Sequence, residues 1–349
     1  MAAAPDGIYL ARPERLPAER RLAVKDLLDT ADLDTTYGSG LFAGHRPSRT
    51  AEAVRRAETA GWVVNGKTNL HEFAYGISSQ NPHFGTVPNP VAPGRLAGGS
   101  SGGSGAAVAA GLCDAALGTD SGGSIRIPSA WCGIVGFKPT YDLVPADGCF
   151  PLAPSYDHVG PMAASVETCV ELLQALAPGF SPGRLGSLEE VSVGIAWLET
   201  CDPLVRERVE AAAAHFPRAR LVDFPLAARA DSYVFMREVA DVHRTLFADN
   251  EDAYGANVRT KIERCLAVPD SDVEAGQAAR KAYRDEAARA LEGLDLLVTP
   301  TIGFVAPPAG VDPDRRARRR RRARARRRRP ARIPRSRDGS GLRHAEDEG

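Results

Sequence analysis

Three short segments of the chain carry residue types that can act together on a carbonyl. They are Val24-Lys25-Asp26, the run Gly98-Gly99-Ser100-Ser101-Gly102-Gly103-Ser104, and Gly118-Thr119-Asp120-Ser121-Gly122-Gly123-Ser124. Between them they supply a lysine and two serines in glycine-rich turns, the parts of a nucleophile-and-base site built from Ser, Ser and Lys. Ser124 is the candidate nucleophile. The two glycines before it permit a tight turn, and the N–H groups of Ser121, Gly122, Gly123 and Ser124 would then form an oxyanion hole. Ser100 is the candidate bridge, passing a proton between Ser124 and a base. Lys25 is the candidate base. It follows the apolar run Leu22-Ala23-Val24, which suits burial, and burial favours the neutral amine.

Each segment has a plainer reading when taken alone. Gly122-Gly123-Ser124 is then an ordinary turn, and Lys25 a surface lysine paired with Asp26 or Asp29. The Gly98–Ser104 run is then a linker or a phosphate loop. Two details weigh against the last pair. A phosphate loop ends in Lys-Ser or Lys-Thr, whereas Ser104-Gly105 stands here. An apolar, small-residue helix pattern also follows immediately, which calls for packing.

Spacing in combination points further. The stretch from Gly98 to Thr140, GGSSGGSGAAVAAGLCDAALGTDSGGSIRIPSAWCGIVGFKPT, closely resembles the core of the amidase signature family. The resemblance implies a Ser–Ser–Lys triad at Ser124, Ser100 and Lys25 and a cis peptide at Gly99–Ser100. It also implies supporting hydrogen-bond roles for Asp120 and Arg126 beside the nucleophile turn, and Ser101 is expected to help orient Lys25. Lys67, in Gly66-Lys67-Thr68-Asn69-Leu70-His71-Glu72-Phe73, also falls in a family-like segment. It is expected at a strand end near the site, without serving as the base. Cys132 is expected to be a buried structural cysteine. The activity implied is hydrolysis of a small-molecule carboxylic amide through an acyl-enzyme on Ser124. The same signature occurs in glutamine-dependent amidotransferase subunits that work on tRNA-bound glutamate, and a truncated, inactive protein of this fold is a third reading.

The elements that must position these residues read as α/β. Leu22–Val24 and Trp62–Val64 look like strands, with a helix from Thr50 to Ala60 between them that ends at Gly61. Gly105–Leu112 reads as a close-packing helix, and Asp114–Leu117 as the strand feeding the second glycine turn. Further on, Val166–Leu176, the segment from Asp202-Pro203 to His215, and Ser271–Leu291 read as helices, and Val191–Trp197 and Asp295–Thr299 as strands. The expected fold is a mixed β-sheet core covered by helices on both faces, incomplete at its C-terminus. The family's later GLPA and GLPVG segments are not found.

Composition sets the class. The chain has 349 residues, 43% of them hydrophobic and 25% charged, as expected for a globular core. The formal net charge of zero conceals an acidic body and a basic end, since the residues from 315 onward hold 16 Arg against 4 acids. The expected organisation is an amidase-like domain over residues 1–310 and a basic, disordered tail over 311–349. A frame change in a GC-rich gene is the favoured origin of that tail. A nucleic-acid arm is disfavoured because the tail lacks aromatic residues. The six cysteines form no CxxC pair and read as reduced thiols. No apolar leader or membrane span is evident, so the expected compartment is the cytoplasm. No metal or other cofactor is implied. The histidines form no HExxH or Cys/His cluster, and Gly38-Ser39-Gly40 gives no dinucleotide fingerprint. The sequence specifies no oligomeric state.

Overall fold

Leu22, Ala23 and Val24 are buried completely, and the reason lies in their position within the sheet. The computed structural model describes residues 7–183 and 186–314. It begins with β1 (Tyr9–Ala11) and β2 (Arg21–Lys25), followed by α1 (Glu52–Thr59) and β3 (Val63–Thr68). A small hairpin, β4 (Gln80–Asn81) and β5 (Gly85–Thr86), precedes α2 (Gly102–Ala109), β6 (Ala115–Thr119) and α3 (Arg126–Cys132). Next come β7 (Val135–Gly136), β8 (Val159–Ala163) and α4 (Val166–Leu176). The main sheet runs β1-β3-β2-β6-β8-β7 and is mixed: β2 is parallel to both β3 and β6, and the outer pairings are antiparallel. β2 and β6 are interior strands covered on both faces, so they read as continuous apolar runs.

Strand alternation divides the core between the two faces. Leu22, Val24, Ala115 and Leu117 pack with Val54 of α1 and with Leu172 and Leu176 of α4. Ala23 and Ala116 point to the other face and pack with Ala106 and Ala107 of α2, Ile125 and Met162. Lys25 lies two residues beyond Ala23, so the same alternation sends its side chain toward the start of α2. Small residues let that helix sit close to the chain beneath it. A Cβ at Gly103 would lie 2.3 Å from the Asn69 carbonyl oxygen, a separation no side chain tolerates.

The remaining elements are β9 (Ser192–Ile195), α5 (Pro203–Ala213), β10 (Arg218–Leu221), α6 (Ser232–Asn250), α7 (Ala256–Leu266), α8 (Asp270–Ala290) and β11 (Leu296–Val298). The two late strands read from the sequence do form, but they do not join the main sheet. With β10 they make a separate parallel sheet ordered β10-β9-β11, where Leu221 and Leu296 are exposed. The hydrophobic period identifies a strand but not its partner, which is set by contacts remote in sequence. α6 and α7 close over an aromatic cluster that includes Phe73, Phe150, Phe247 and Tyr254. Buried Glu72 ties them to the loop before β4, because its carboxylate accepts the Gly255 N–H at the start of α7 (3.0 Å). Among the described residues no helix is long and apolar enough to cross a membrane. The basic tail expected beyond residue 311 lies, apart from residues 311–314, outside the described residues.

Candidate active site

Because β2 and β6 are parallel neighbours with Val24 opposite Leu117, their C-terminal ends emerge at one edge of the sheet. That edge is the usual place for ligands in open α/β sheets. Lys25 ends β2 and Thr119 ends β6. Lys25 Nζ lies 2.7 Å from Ser100 Oγ and 2.6 Å from Thr119 Oγ1. The lysine side chain has no exposure, and burial pushes its pKa down to about 7. A neutral amine is thereby accessible near neutral pH, which an exposed lysine does not offer.

Ser100 is also fully buried, and the Gly99–Ser100 peptide is cis. Its carbonyl accepts the His71 N–H and the Ser79 hydroxyl, both at 3.1 Å. Ser101 joins the three segments. Its N–H donates to the Ser124 carbonyl (3.2 Å), and its hydroxyl donates to the Thr119 carbonyl (3.1 Å) and accepts the Thr119 N–H (3.2 Å). Among the described residues Ser101 makes no hydrogen bond to Lys25, so its help in orienting the lysine passes through Thr119. The lysine is held by the Thr119 hydroxyl, and Ser101 fixes the backbone that carries Thr119.

The Gly118–Ser124 turn is organised by one carboxylate. Asp120 Oδ1 accepts the Gly123 N–H (2.7 Å) and Arg126 Nη2 (2.8 Å), while Oδ2 accepts the Ile125 N–H (3.1 Å) and Arg126 Nε (2.9 Å). Burial opposes ionisation of Asp120, but the bidentate arginine and the backbone donors outweigh it and hold the pKa below the usual carboxylate value. Gly123 adopts φ +125°, where a side chain is strained. Its N–H is engaged by Asp120, so it is not available to an oxyanion as expected. Among the described residues the N–H groups of Ser121, Gly122 and Ser124 have no intramolecular acceptor, and these three residues line a cleft of about 380 Å³. The Ser121 hydroxyl donates to Asp157, whose second oxygen accepts the N–H groups of Leu152 (2.8 Å) and Ala153 (3.1 Å).

Lys67 lies at a strand end beside this site, in β3, but turns to other partners. Its Nζ donates to the Leu28 carbonyl (2.6 Å) and the Thr35 hydroxyl (2.5 Å) and sits 3.2 Å from Asp26 Oδ1. Cys132 is buried with its thiol donating to the Ala97 carbonyl (3.3 Å), and burial pushes its pKa up to about 12. No thiolate is available there.

The family model described as Amidase matches residues 21–318. The chain belongs to the amidase family. It is 36% identical over 329 residues to AtzE, a component of the 1-carboxybiuret hydrolase of Pseudomonas sp. strain ADP, covering 86% of this chain and 71% of that protein. A stretch of 160 residues is 49% identical to a glutamyl-tRNA(Gln) amidotransferase component of Haloarcula marismortui, which is 46% of this chain and 38% of that protein. A crystal structure of an amidase superposes with a TM-score of 0.76 at 37% identity, over 83% of this chain and 68% of that one.

As an amidase-family chain, it also shows what sequence reasoning missed. Thr119 stood inside the quoted glycine turn without a role, because only the pairing of β2 with β6 brings its hydroxyl to Lys25. Ser79, which braces both Ser100 and the start of α2 through the Gly102 N–H (3.1 Å), and Asp157 lie in loops with no periodicity to flag them.

Proposed function

We propose that the chain hydrolyses the C–N bond of a small carboxylic amide. In this reading neutral Lys25 takes the proton of the Ser100 hydroxyl as Ser100 takes that of Ser124. Ser124 Oγ attacks the carbonyl carbon, and the N–H groups of Ser121, Gly122 and Ser124 hold the oxyanion. The relay returns its proton to the leaving nitrogen, the C–N bond breaks and ammonia or an amine departs. Water then adds to the acyl-enzyme, giving its proton to the relay, and the carboxylate leaves as Ser124 is restored.

The observation that carries this reading is a fully buried lysine within 2.7 Å of a serine hydroxyl. Among the described residues it has no carboxylate in ion-pair contact. A fluorophosphonate probe on the full chain, followed by mass spectrometry, tests it. The expected adduct is on Ser124, lost in Ser124→Ala and strongly reduced in Lys25→Ala. Undiminished labelling of Ser124→Ala would refute the assignment.

Similarity to an amidotransferase component supports a second reading, release of ammonia from glutamine for a partner protein. Hydrolysis confined to glutamine, with retention of partner proteins in a pull-down, would favour it over a free-standing hydrolase.

A further inference from the structure

The Ser124 cleft has one charged wall. Lys261 and Arg264, one turn apart on α7, line it with Asp314 and with apolar side chains that include Ile77, Leu152, Phe235 and Met236. Lys261 is oriented by the loop beneath it. Its Nζ donates to the Tyr75 carbonyl (2.7 Å) and lies 5.2 Å from the centre of the Tyr75 ring. That leaves an ammonium presented to the cleft, and a carboxylate already sits on it. Asp314 Oδ2 is 2.7 Å from Nζ, and only 13% and 16% of the two side chains are exposed. Arg264 has no ion-pair partner among the described residues. Two cations against one acid leave the wall positive, within reach of whatever occupies the cleft. The volume of about 380 Å³ is near the small end of ligand pockets, which run from roughly 300 to 1,000 Å³.

We propose that Lys261, with Arg264 beside it, is an anion subsite of the Ser124 cleft. The preferred substrate is a small amide that also bears a carboxylate, and Asp314 occupies the subsite until that carboxylate replaces it. The inference rests on the amide-hydrolase reading for its chemistry, but the subsite itself is a matter of binding. Lys261 keeps its orientation through Tyr75 when Asp314 moves away, so the exchange trades one carboxylate for another on a preset cation. Such a contact acts on substrate and transition state alike, and its effect falls mainly on KM.

The test uses monoamides of succinic, glutaric and adipic acids alongside their neutral counterparts, in which a methyl replaces the carboxylate. For at least one chain length, kcat/KM is expected to be tenfold or more higher for the anionic member. Lys261→Met should bring that ratio close to one. Arg264→Gln, at an exposed position, should lower it less, and Asp314→Asn should lower KM for the anionic amide. A ratio near one at every length, or one unchanged in Lys261→Met, overturns the proposal.

Calorimetric binding of the same pairs to Ser124→Ala separates this question from turnover. Tighter binding of the anionic member, lost in the Ser124→Ala/Lys261→Met double variant, supports the subsite even if no hydrolysis is ever seen. Absence of any charge preference in binding overturns the subsite whatever the enzyme hydrolyses. Circular dichroism of each variant shows that the fold is kept.

Discussion

Lys25 and Lys67 are both buried without exposure, yet only Lys67 has a carboxylate beside it, with Nζ 3.2 Å from Asp26 Oδ1. Lys25 instead meets the hydroxyls of Ser100 and Thr119. The difference assigns different chemistry to two lysines on neighbouring strands. Burial pushes the Lys67 amine down as well, but there the Asp26 carboxylate opposes it, and Nζ holds the loop at Thr35. A charge on Lys25 is solvated only by neutral groups, so the amine gives up its proton easily.

Lys25 therefore sets a pH dependence. With its pKa pushed down to about 7, kcat/KM is expected to rise with pH through about 7 and level off above it, since in the proposed relay only the neutral amine accepts the Ser100 proton. Lys25→Met should lower kcat by about 10²–10⁴-fold. A profile that keeps its midpoint in this variant would exclude the lysine as base. Stability moves in the same direction. Below pH 7 the amine is charged in both folded and unfolded states, and its burial is destabilising in full. From about pH 7 to the unfolded value near 10.4 the unfolded chain binds more protons, so this group makes stability rise with pH. Urea denaturation should show that increment disappear in Lys25→Met.

Thr119 is a positioning residue for the amine. Thr119→Val removes the 2.6 Å acceptor while keeping the shape of the side chain. A buried donor left unmatched costs about 1–3 kcal/mol, so kcat should fall roughly 5- to 150-fold with KM little changed. Thr119→Ser should recover most of the rate. If Val and Ser variants behave alike, the hydroxyl has no such role.

Asp120 and Arg126 hold the turn that presents Ser124. Asp120→Ala leaves backbone donors unmatched beside a guanidinium that is 44% exposed and open to water, and the expected loss is about 1–3 kcal/mol of unfolding free energy. Arg126→Met leaves the unexposed Asp120 carboxylate without its cation, so it should cost more, about 3–5 kcal/mol. Asp120 has a folded pKa below its unfolded one. Its contribution is present above about pH 3.9 and is lost as the pH falls through the folded value. Acid titration of stability in wild type and Asp120→Asn measures this, and identical curves would contradict it.

Close packing of α2 gives a purely steric prediction. Gly103→Ala places a methyl 2.3 Å from the Asn69 carbonyl and should destabilise by about 1–3 kcal/mol while displacing Ser100 and Ser101. A Cβ at Gly122 meets nothing within 4 Å, so Gly122→Ala should leave the melting temperature within about a degree of wild type. Similar melting shifts in the two variants would show that helix contact is not the cause.

Much of this was legible in the residues themselves. The apolar run before Lys25 and the helix over Val166–Leu176 are local patterns that the described residues bear out, whereas the small-residue helix expected over Gly105–Leu112 begins at Gly102, inside the first glycine run, and ends at Ala109. Local sequence also marked Ser100 and Ser124 as candidates, because glycine before serine is a backbone requirement. Tertiary structure decided the rest. The parallel register of β2 and β6 put Thr119 against Lys25, and Asp120 took the Gly123 N–H away from the expected oxyanion hole. α7 folded across the chain to set Lys261 and Arg264 in the wall of the cleft that Ser124 also lines. Periodicity and turn chemistry act over a few residues and so can be read along the chain. Strand pairing, burial of a charge and the partner of an N–H depend on groups 75 or 94 positions apart, and only the folded chain brings those together.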